Sequence, residues 1–373
     1  MTERQRILSV MNGGTPDRVP FMLDLSHYYY HRFNKGWNIQ NGYVKPETDL
    51  IDYHKKLGAG FYVPNQALMF GQKFNGNVNA TVVNAAVDGR PEIRWRYETP
   101  LGAIERIRVW EEASYSWAIK KWGVATERDL KVLAYAMSNR TFEPLPENYA
   151  AWDDCIGDAG IAYLLPGYGA MGHIMHYWMG VENTVYACAD MNFAMHEAVD
   201  QINESCMRIV DMLAGYPADA VLMGDNFSGD IQPPSFFNEW SAPFYKKAID
   251  KIHSRGKKAA MHVDGKLRGA VSMVCDVGAD IIDAVTPPPA GDLTPMECRR
   301  EAGPKTILSG GVSPGLWLPS VPYEDFKRAV IEWLELRKTS PALIAAAGDQ
   351  VPPGADEGRI SAMRELVDEY GRY

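Results

Sequence analysis

Polar residues follow several short apolar runs of the sequence, and three of them carry side chains suited to a metal site. His262 and Asp264 lie two residues apart in KKAAMHVDG, 257–265, and Asp349 ends ALIAAAGD, 342–349. Residues two apart on a strand point to the same face, so His262 and Asp264 would reach one pocket. One imidazole and two carboxylates with an open position suit Zn²⁺ or another divalent ion, which would act as a Lewis acid on a bound oxygen.

These three residues also have simpler explanations. A buried histidine is often only a hydrogen-bonded core residue, and an aspartate at the end of a strand often caps the helix that follows. The carboxylates can also act without metal, as general acids and bases with shifted pKa values. The sequence leaves these alternatives open.

Two further aspartates end apolar runs and are candidate catalytic groups. Asp24 lies in RVPFMLDLS, 18–26, and Asp225 lies in AVLMGDN, 220–226. If these runs are parallel barrel strands, their carboxyl ends meet at one face, where the active sites of barrels form. Asp225 is then a fourth metal ligand or an acid–base group.

Candidate substrate contacts lie close to the same strand ends. His27, Tyr28 and Tyr30 follow the first run and could line an aromatic pocket, with a packed surface loop as the alternative. His173 lies in GHIMHYW, where it could pair with a second histidine three residues on as a metal ligand, and Gln350 follows Asp349. We predict that His173 and Gln350 also contact the substrate.

Eight short apolar runs alternate with stretches of helical periodicity. They are 18–26, 58–64, 160–167, 220–226, 257–265, 281–287, 305–312 and 342–349. The alternation predicts a parallel α/β fold, and the number of runs favours a closed (β/α)8 TIM barrel over an open doubly wound sheet. After the second run, the hairpin signal Asp88-Gly89 and the alternation at 93–97 predict an inserted antiparallel β-excursion at about 75–125. We place no linker and expect residues 1–373 to form a single barrel domain.

Composition excludes several classes of function. The chain of 373 residues has a formal net charge of −9 and no basic run, which argues against a nucleic-acid partner. It has no GxGxxG or phosphate-binding loop after a strand and no apolar stretch long enough for a membrane. The five cysteines form no CxxC pair, which is typical of free thiols in a reducing compartment, so we expect a cytoplasmic protein.

Several motifs occur in an order that resembles the uroporphyrinogen decarboxylase superfamily. They are TPDRVP near the start, TPLG in the excursion, MGDN, HVDG, GADIIDAVTP, SGGV and AAGDQVPPGADEGRI. The resemblance covers nearly the whole chain and implies a (β/α)8 barrel similar to that of cobalamin-independent methionine synthase. It implies one of two chemistries: decarboxylation of uroporphyrinogen without metal, or methyl transfer to or from a corrinoid protein, usually with zinc.

Within this superfamily the chain is more similar to the methyltransferase branch. The decarboxylase has an arginine-rich MRQAGRY stretch after strand one, where this chain has DLSHYYYHRF. Coenzyme M methyltransferases hold zinc with His-x-Cys and a later Cys; His262 matches the histidine, and Asp264 and Asp349 stand at the cysteine positions. Carboxylates give a harder centre that suits an oxygen ligand. The resemblance therefore implies an O-demethylase component that moves a methyl group from a methoxylated, aromatic small molecule to the Co(I) corrinoid of a partner protein.

Two other functions stay open at this point. One is a metal-free decarboxylase of a porphyrinogen or a smaller acid, in which Asp24 or Asp225 stabilises a protonated ring. The other is a non-catalytic binding protein, which we rank lowest because so many strand-end carboxylates are expensive to desolvate without a purpose. The sequence is compatible with a homodimer but does not identify the oligomeric state.

Overall fold

A computed structural model of the protein describes residues 1–36, 39, 42–65 and 67–373. The strands of this part of the chain are β1 (Phe70–Phe74), β2 (Asn79–Val87), β3 (Arg90–Thr99), β4 (Gly102–Glu111), β5 (Ser116–Lys121), β6 (Arg140–Pro144), β7 (Ala220–Phe227), β8 (Lys258–Val263), β9 (Ile281–Val285), β10 (Ile307–Gly311) and β11 (Leu343–Ala346).

Helices connect and cover these strands. The α-helices are α1 (Glu3–Met11), α2 (Ser26–Arg32), α3 (Thr48–Leu57), α4 (Glu127–Ser138), α5 (Pro146–Ile156), α6 (Ala170–His173), α7 (Val181–Asp190), α8 (Asn192–Ala214), α9 (Pro234–Trp240), α10 (Ala242–His253), α11 (Ala270–Asp276), α12 (Pro295–Ala302), α13 (Tyr323–Glu335) and α14 (Glu357–Tyr370). Three 3₁₀ turns, Gly157–Ala159, Pro314–Trp317 and Leu336–Lys338, and one π-helix, Ile174–Trp178, complete the helical elements of the described residues.

The central element is a parallel sheet in the order β11-β10-β9-β8-β7. Three extended segments, 20–23, 60–63 and 160–164, continue it through single parallel bridges. The bridges are Phe21 to Ala345, Met22 to Gly60, Phe61 to Gly160 and Leu164 to Val221. Each of the eight parallel segments therefore bonds to two neighbours, and the sheet closes into a ring. The (β/α)8 barrel predicted from the sequence is confirmed.

Gly160 permits the closest approach in this ring. A β-carbon at this position would lie 1.9 Å from the carbonyl oxygen of Phe61, which is backbone and cannot move aside. Only glycine lets the second and third segments pair at this distance.

An antiparallel sheet in the order β2-β3-β4-β5 is inserted between the second and third barrel segments. Its β2 and β3 run in unbroken register from Asn79 opposite Glu98 to Val87 opposite Arg90. A smaller ribbon of β1 and β6 flanks the insertion. The predicted excursion after the second strand is thus confirmed, while the extent of the domain stays a prediction.

The interior of the barrel is filled from its amino-terminal end. Ile7, Val10 and Met11 of α1 pack in one buried cluster with inward-facing strand residues such as Leu222 and Ile344. Because α1 and these side chains fill that end, open space inside the barrel is left at the carboxyl ends of the strands. This is where the fold positions polar residues.

Trp333 on α13 fixes the helical layer against the barrel. Its side chain is fully buried, and its indole Nε1 donates to the carbonyl oxygen of Ile344 at 2.9 Å. A β-carbon at Gly311 on β10 would lie 2.4 Å from the indole. The indole therefore fits against β10 only because residue 311 has no side chain.

In the described part of the chain, no helix combines the length and apolar character needed to cross a lipid bilayer. The five cysteines are all free thiols.

Candidate active site

A cavity of about 440 Å³ opens at the carboxyl ends of the barrel strands. Its volume lies in the range of small-molecule pockets. Its lining residues are Asp24, Tyr62, Val63, Asn65, Leu165, Gly167, Tyr168, Tyr177, Leu222, Gly224, Asn226, His262, Asp264, Asp283, Asp349 and Gln350. The structure thus brings together five of the residues singled out in the sequence: Asp24, His262, Asp264, Asp349 and Gln350.

His262 is held in a fixed orientation by its neighbour on the next strand. β8 and β9 pair so that His262 stands opposite Asp283. Its Nδ1 lies 2.9 Å from Oδ2 of Asp283, whose side chain is 2% exposed. Since a carboxylate accepts, Nδ1 donates, and Nε2 is directed to Oδ1 of Asp349 at 3.9 Å.

The cavity favours positive charge at His262. Burial by itself would lower the pKa of this imidazole, but the hydrogen bond to Asp283 and the charges of Asp283, Asp349 and Asp264 raise it to about 9. Without another cation, the imidazole therefore carries a proton among three carboxylates. A site that concentrates negative charge around one nitrogen ligand is suited to a bound cation.

Asp24 faces the same cavity in a separate hydrogen-bond network. Its Oδ1 accepts from the backbone N–H of Ser26 at 2.9 Å and from the Ser26 hydroxyl, and its Oδ2 accepts from Asn65 at 2.7 Å. Burial raises the pKa of Asp24, and hydrogen bonds, including one from Gln350, oppose the shift. Asp24 is therefore a carboxyl group that holds a proton more readily than a free aspartate does.

Asp225, the other predicted catalytic group, does not line the cavity. Its carboxylate accepts from the backbone N–H of Gly169, with its two oxygens at 2.9 and 3.1 Å. Burial raises its pKa to about 7, and the nearby Tyr245 hydroxyl and the backbone N–H groups of Gly169 and Gly172 oppose this. Asp225 thus anchors the start of α6 from behind the cavity wall.

Four predicted substrate contacts also lie outside the cavity lining. Tyr28 and Tyr30 are buried in α2, where the Tyr30 hydroxyl donates to Glu47. The Nε2 of His27 lies 2.9 Å from the carbonyl oxygen of Tyr115. His173 packs against the rings of two tyrosines behind the wall, and burial lowers its pKa well below the usual value.

Aromatic side chains do line the cavity, but they come from other elements. Tyr62 lies in the second barrel segment, and Tyr168 and Tyr177 stack with ring centroids 4.9 Å apart and an interplanar angle of 13°. Tyr177 is part of the π-helix Ile174–Trp178, a rare form of helix that is frequent at functional sites. Reasoning from the sequence missed these tyrosines. It recognised Asp283 as the polar residue of the apolar run IIDAV, but gave it no role in the site.

By their chemistry, the imidazole and carboxylate groups of the cavity are donors of the kind that bind divalent ions. The described residues contain no group of three or more His, Cys, Asp or Glu side chains already gathered at metal-binding distances. Nevertheless, the 3.9 Å between His262 Nε2 and Asp349 Oδ1 is close to the roughly 3.3 Å that separates two ligands of a tetrahedral zinc ion. The side chain of Asp349 is 42% exposed and has room to rotate toward the histidine. Asp264, on the same wall, offers a third donor.

We expect Asp283→Asn to weaken the site without unfolding the protein. The amide keeps the size of the side chain but removes the charge that fixes the His262 ring, and comparable changes reduce metal affinity or activity about 10- to 100-fold. Titration with Zn²⁺, followed calorimetrically, measures the change. Asp292→Asn, at a carboxylate that contacts the backbone of residues 267 and 268 outside the cavity, is the control. Equal zinc affinity in the two variants would contradict the role given to Asp283.

The fold and the cavity define a (β/α)8-barrel protein with a polar site at the carboxyl ends of its strands. The family model of uroporphyrinogen decarboxylase (URO-D) matches residues 164–370. The chain therefore belongs to the uroporphyrinogen decarboxylase family, as its motifs predicted.

One solved structure agrees with this fold along the whole chain. A methyltransferase from Methanosarcina mazei is 15% identical with a TM-score of 0.63, and the match covers 99% of each chain. A D-psicose 3-epimerase is 12% identical, with a TM-score of 0.36 over 63% of this chain and 85% of its own. No curated protein sequence gave a significant match.

Proposed function

We propose that this protein is a corrinoid-dependent methyltransferase. It moves a methyl group from a methoxylated aromatic molecule to the Co(I) corrinoid of a partner protein, as the first component of an O-demethylase. A divalent ion, Zn²⁺ in our proposal, is held by His262, Asp264 and Asp349. The similarity of fold to the methyltransferase from Methanosarcina mazei, which extends along the whole chain, is consistent with this activity.

One observation carries the proposal. The His262 ring is locked by Asp283 so that its second nitrogen is directed to Asp349, in a cavity that Asp264 also lines. An ion held by an imidazole and carboxylates is a harder centre than an ion held by thiolates, and a harder centre prefers a substrate that binds through oxygen. A substrate that presents an ether oxygen matches such a site.

The remaining groups of the cavity have separate parts in the reaction. An ion held at this site supplies Lewis acidity toward the ether oxygen. Tyr62, Tyr168 and Tyr177 offer rings against which an aromatic substrate packs. When the methyl group leaves for cobalt, the departing oxygen takes up negative charge, and in this proposal Asp24, which lines the cavity, gives it a proton.

Decarboxylation of a substrate with many carboxylates fits this cavity less well. Among the described lining residues four are aspartates and none is an arginine or a lysine. Such a wall repels a polyanion.

The direct test uses protein purified without chelator. Its metal content is measured by mass spectrometry, and the protein is then mixed with reduced cob(I)alamin, in place of the partner protein, and 1,2-dimethoxybenzene. We expect bound metal, the absorbance change of methylcobalamin and one phenol released per methyl transferred. Failure to form methylcobalamin with the metal-loaded protein, together with release of CO₂ from uroporphyrinogen, would overturn the proposal in favour of the decarboxylase.

A further inference from the structure

Two arginines of the inserted sheet lie beside the cavity wall without an acidic partner. Arg106 and Arg108 are two residues apart on β4 and so share one face of the sheet. The guanidinium carbon of each lies 4.8 Å from the ring centroid of Tyr177, which lines the cavity. The two positive charges therefore flank one aromatic ring of the wall.

The neighbouring arginines of the same sheet are all paired. Arg90, Arg94 and Arg96 on β3 form ion pairs with Glu111, Glu92 and Glu98. Among the described residues, by contrast, no carboxylate lies within ion-pair distance of Arg106 or Arg108. Within the part of the chain that the structure describes, their side chains form one hydrogen bond, a long one from Nη1 of Arg106 to the carbonyl oxygen of Tyr177 at 3.5 Å.

Both side chains also have unsatisfied donors. The Nε atoms of Arg106 and Arg108 are buried and have no acceptor. Burial, with the charge of Arg108 nearby, lowers the pKa of Arg106 to about 10. Two close guanidinium groups, partly removed from water and without a counter-charge, are unfavourable unless a ligand supplies that charge. As whole residues, Arg106 and Arg108 are half-buried rather than fully enclosed.

We propose that Arg106 and Arg108 bind an anionic oxygen group of the substrate, and specifically a carboxylate. This inference rests on the proposed function for the identity of the substrate, since it adds a carboxylate to the methoxylated aromatic ring. The planar guanidinium offers two parallel N–H donors to a carboxylate, a geometry that lysine cannot give.

The charges of the cavity then set the direction in which the substrate binds. Asp264, Asp283 and Asp349 gather on the His262 side and repel a carboxylate. The arginines behind Tyr177 attract it. A methoxybenzoate-type molecule would therefore bind with its ring among the tyrosines, its carboxylate at the arginines and its ether oxygen at the His262 side.

The test compares aromatic ligands with and without the carboxylate and with and without the methoxy group. Binding of benzoate, 4-methoxybenzoate and neutral methoxybenzene is measured by calorimetry with the purified full-length protein, with and without zinc. We expect 4-methoxybenzoate to bind at least about tenfold more tightly than methoxybenzene, as charge-assisted hydrogen bonds predict. Arg108→Gln should remove that preference, and Arg108→Lys should restore it only in part.

Arg96→Gln is the matched control, because it removes an arginine from the neighbouring strand whose charge is already paired. The melting temperature of each variant shows whether it is folded, since Arg106 and Arg108 also pack on aromatic rings. Equal affinity for the charged and neutral ligands in the wild type, or an unchanged preference in folded Arg108→Gln, would overturn the inference. Arginine-dependent binding of benzoate without methyl transfer would support the carboxylate site and count against the proposed function alone.

Discussion

His262→Ala is expected to lower the rate of methyl transfer by about 10³-fold and to abolish stoichiometric metal binding. The change removes the only nitrogen donor of the proposed ligand set and leaves Asp264, Asp283 and Asp349 without their positive partner. Lewis-acid stabilisation by a metal is worth several kcal/mol in a transition state, which corresponds to a loss of this size. Metal content and single-turnover formation of methylcobalamin measure the two effects.

His253→Ala is the control for this variant. His253 is an exposed histidine whose Nε2 lies 2.7 Å from Asp280, and an exposed ion pair of this kind contributes little to stability. We expect normal metal content and normal turnover. If His262→Ala kept its metal and its rate, the His262 site would not be the reaction centre. If both variants lost activity equally, the effect would come from the fold.

Trp333→Ala is expected to reduce the free energy of unfolding by about 3–5 kcal/mol, the usual range for removing a large buried aromatic side chain. The indole of Trp333 is fully buried, fills the space beside Gly311 and donates to Ile344, so its removal leaves a cavity between α13 and the barrel and loses one hydrogen bond. Urea unfolding followed by circular dichroism measures the change.

Two further variants separate the contribution of the buried volume from that of the hydrogen bond to the loss of stability. Trp333→Phe keeps most of the volume and loses the hydrogen bond, so it should cost less than Trp333→Ala. Trp122→Ala removes a tryptophan that is 37% exposed and should cost less than either. A Trp333→Ala protein as stable as the wild type would mean that α13 does not hold the barrel wall in place.

The barrel was predictable because each strand is a short buried run with helical periodicity after it. All eight runs, including weak ones such as 58–64, became segments of the ring. The hairpin signal at Asp88-Gly89 likewise found the turn between β2 and β3. Closure of the ring could not be read from local sequence, because it depends on backbone contacts such as Phe61 to Gly160 across one hundred residues.

At the site, the alternation of side chains along a strand explains why some predicted residues reach the cavity and others do not. His262 and Asp264 are two residues apart, so their side chains point to the same face and both reach the cavity. On β7, the alternate residues Leu222, Gly224 and Asn226 face the cavity. Asp225 lies between two of them and therefore points away from it. The sequence of the run 220–226 does not show which set of alternate residues faces the barrel interior. An irregular strand register between Met223 and Phe227 also interrupts the alternation.

The remaining site residues depend on pairing between distant elements. Asp283 becomes important only because β8 and β9 align it with His262, and register between strands is a tertiary property. Tyr28 and Tyr30 follow the first strand as expected, but their helix packs them into the core. The π-helix brings Tyr177 to the cavity instead, and the residue spacing of a regular helix does not predict that position.

The unequal pairing around the ring has a consequence for motion. His262, Asp264 and Asp283 stand on or next to strands joined by continuous ladders. Tyr62 lies in a segment that pairs with each neighbour through a single bridge, and Asp24 and Asn65 follow segments of this kind. Segments with fewer backbone bonds open locally at lower free energy. We therefore expect the wall that carries Asp24, Tyr62 and Asn65 to open more readily than the wall of β8 and β9, so that a substrate can enter there while the His262–Asp283 pair keeps its geometry.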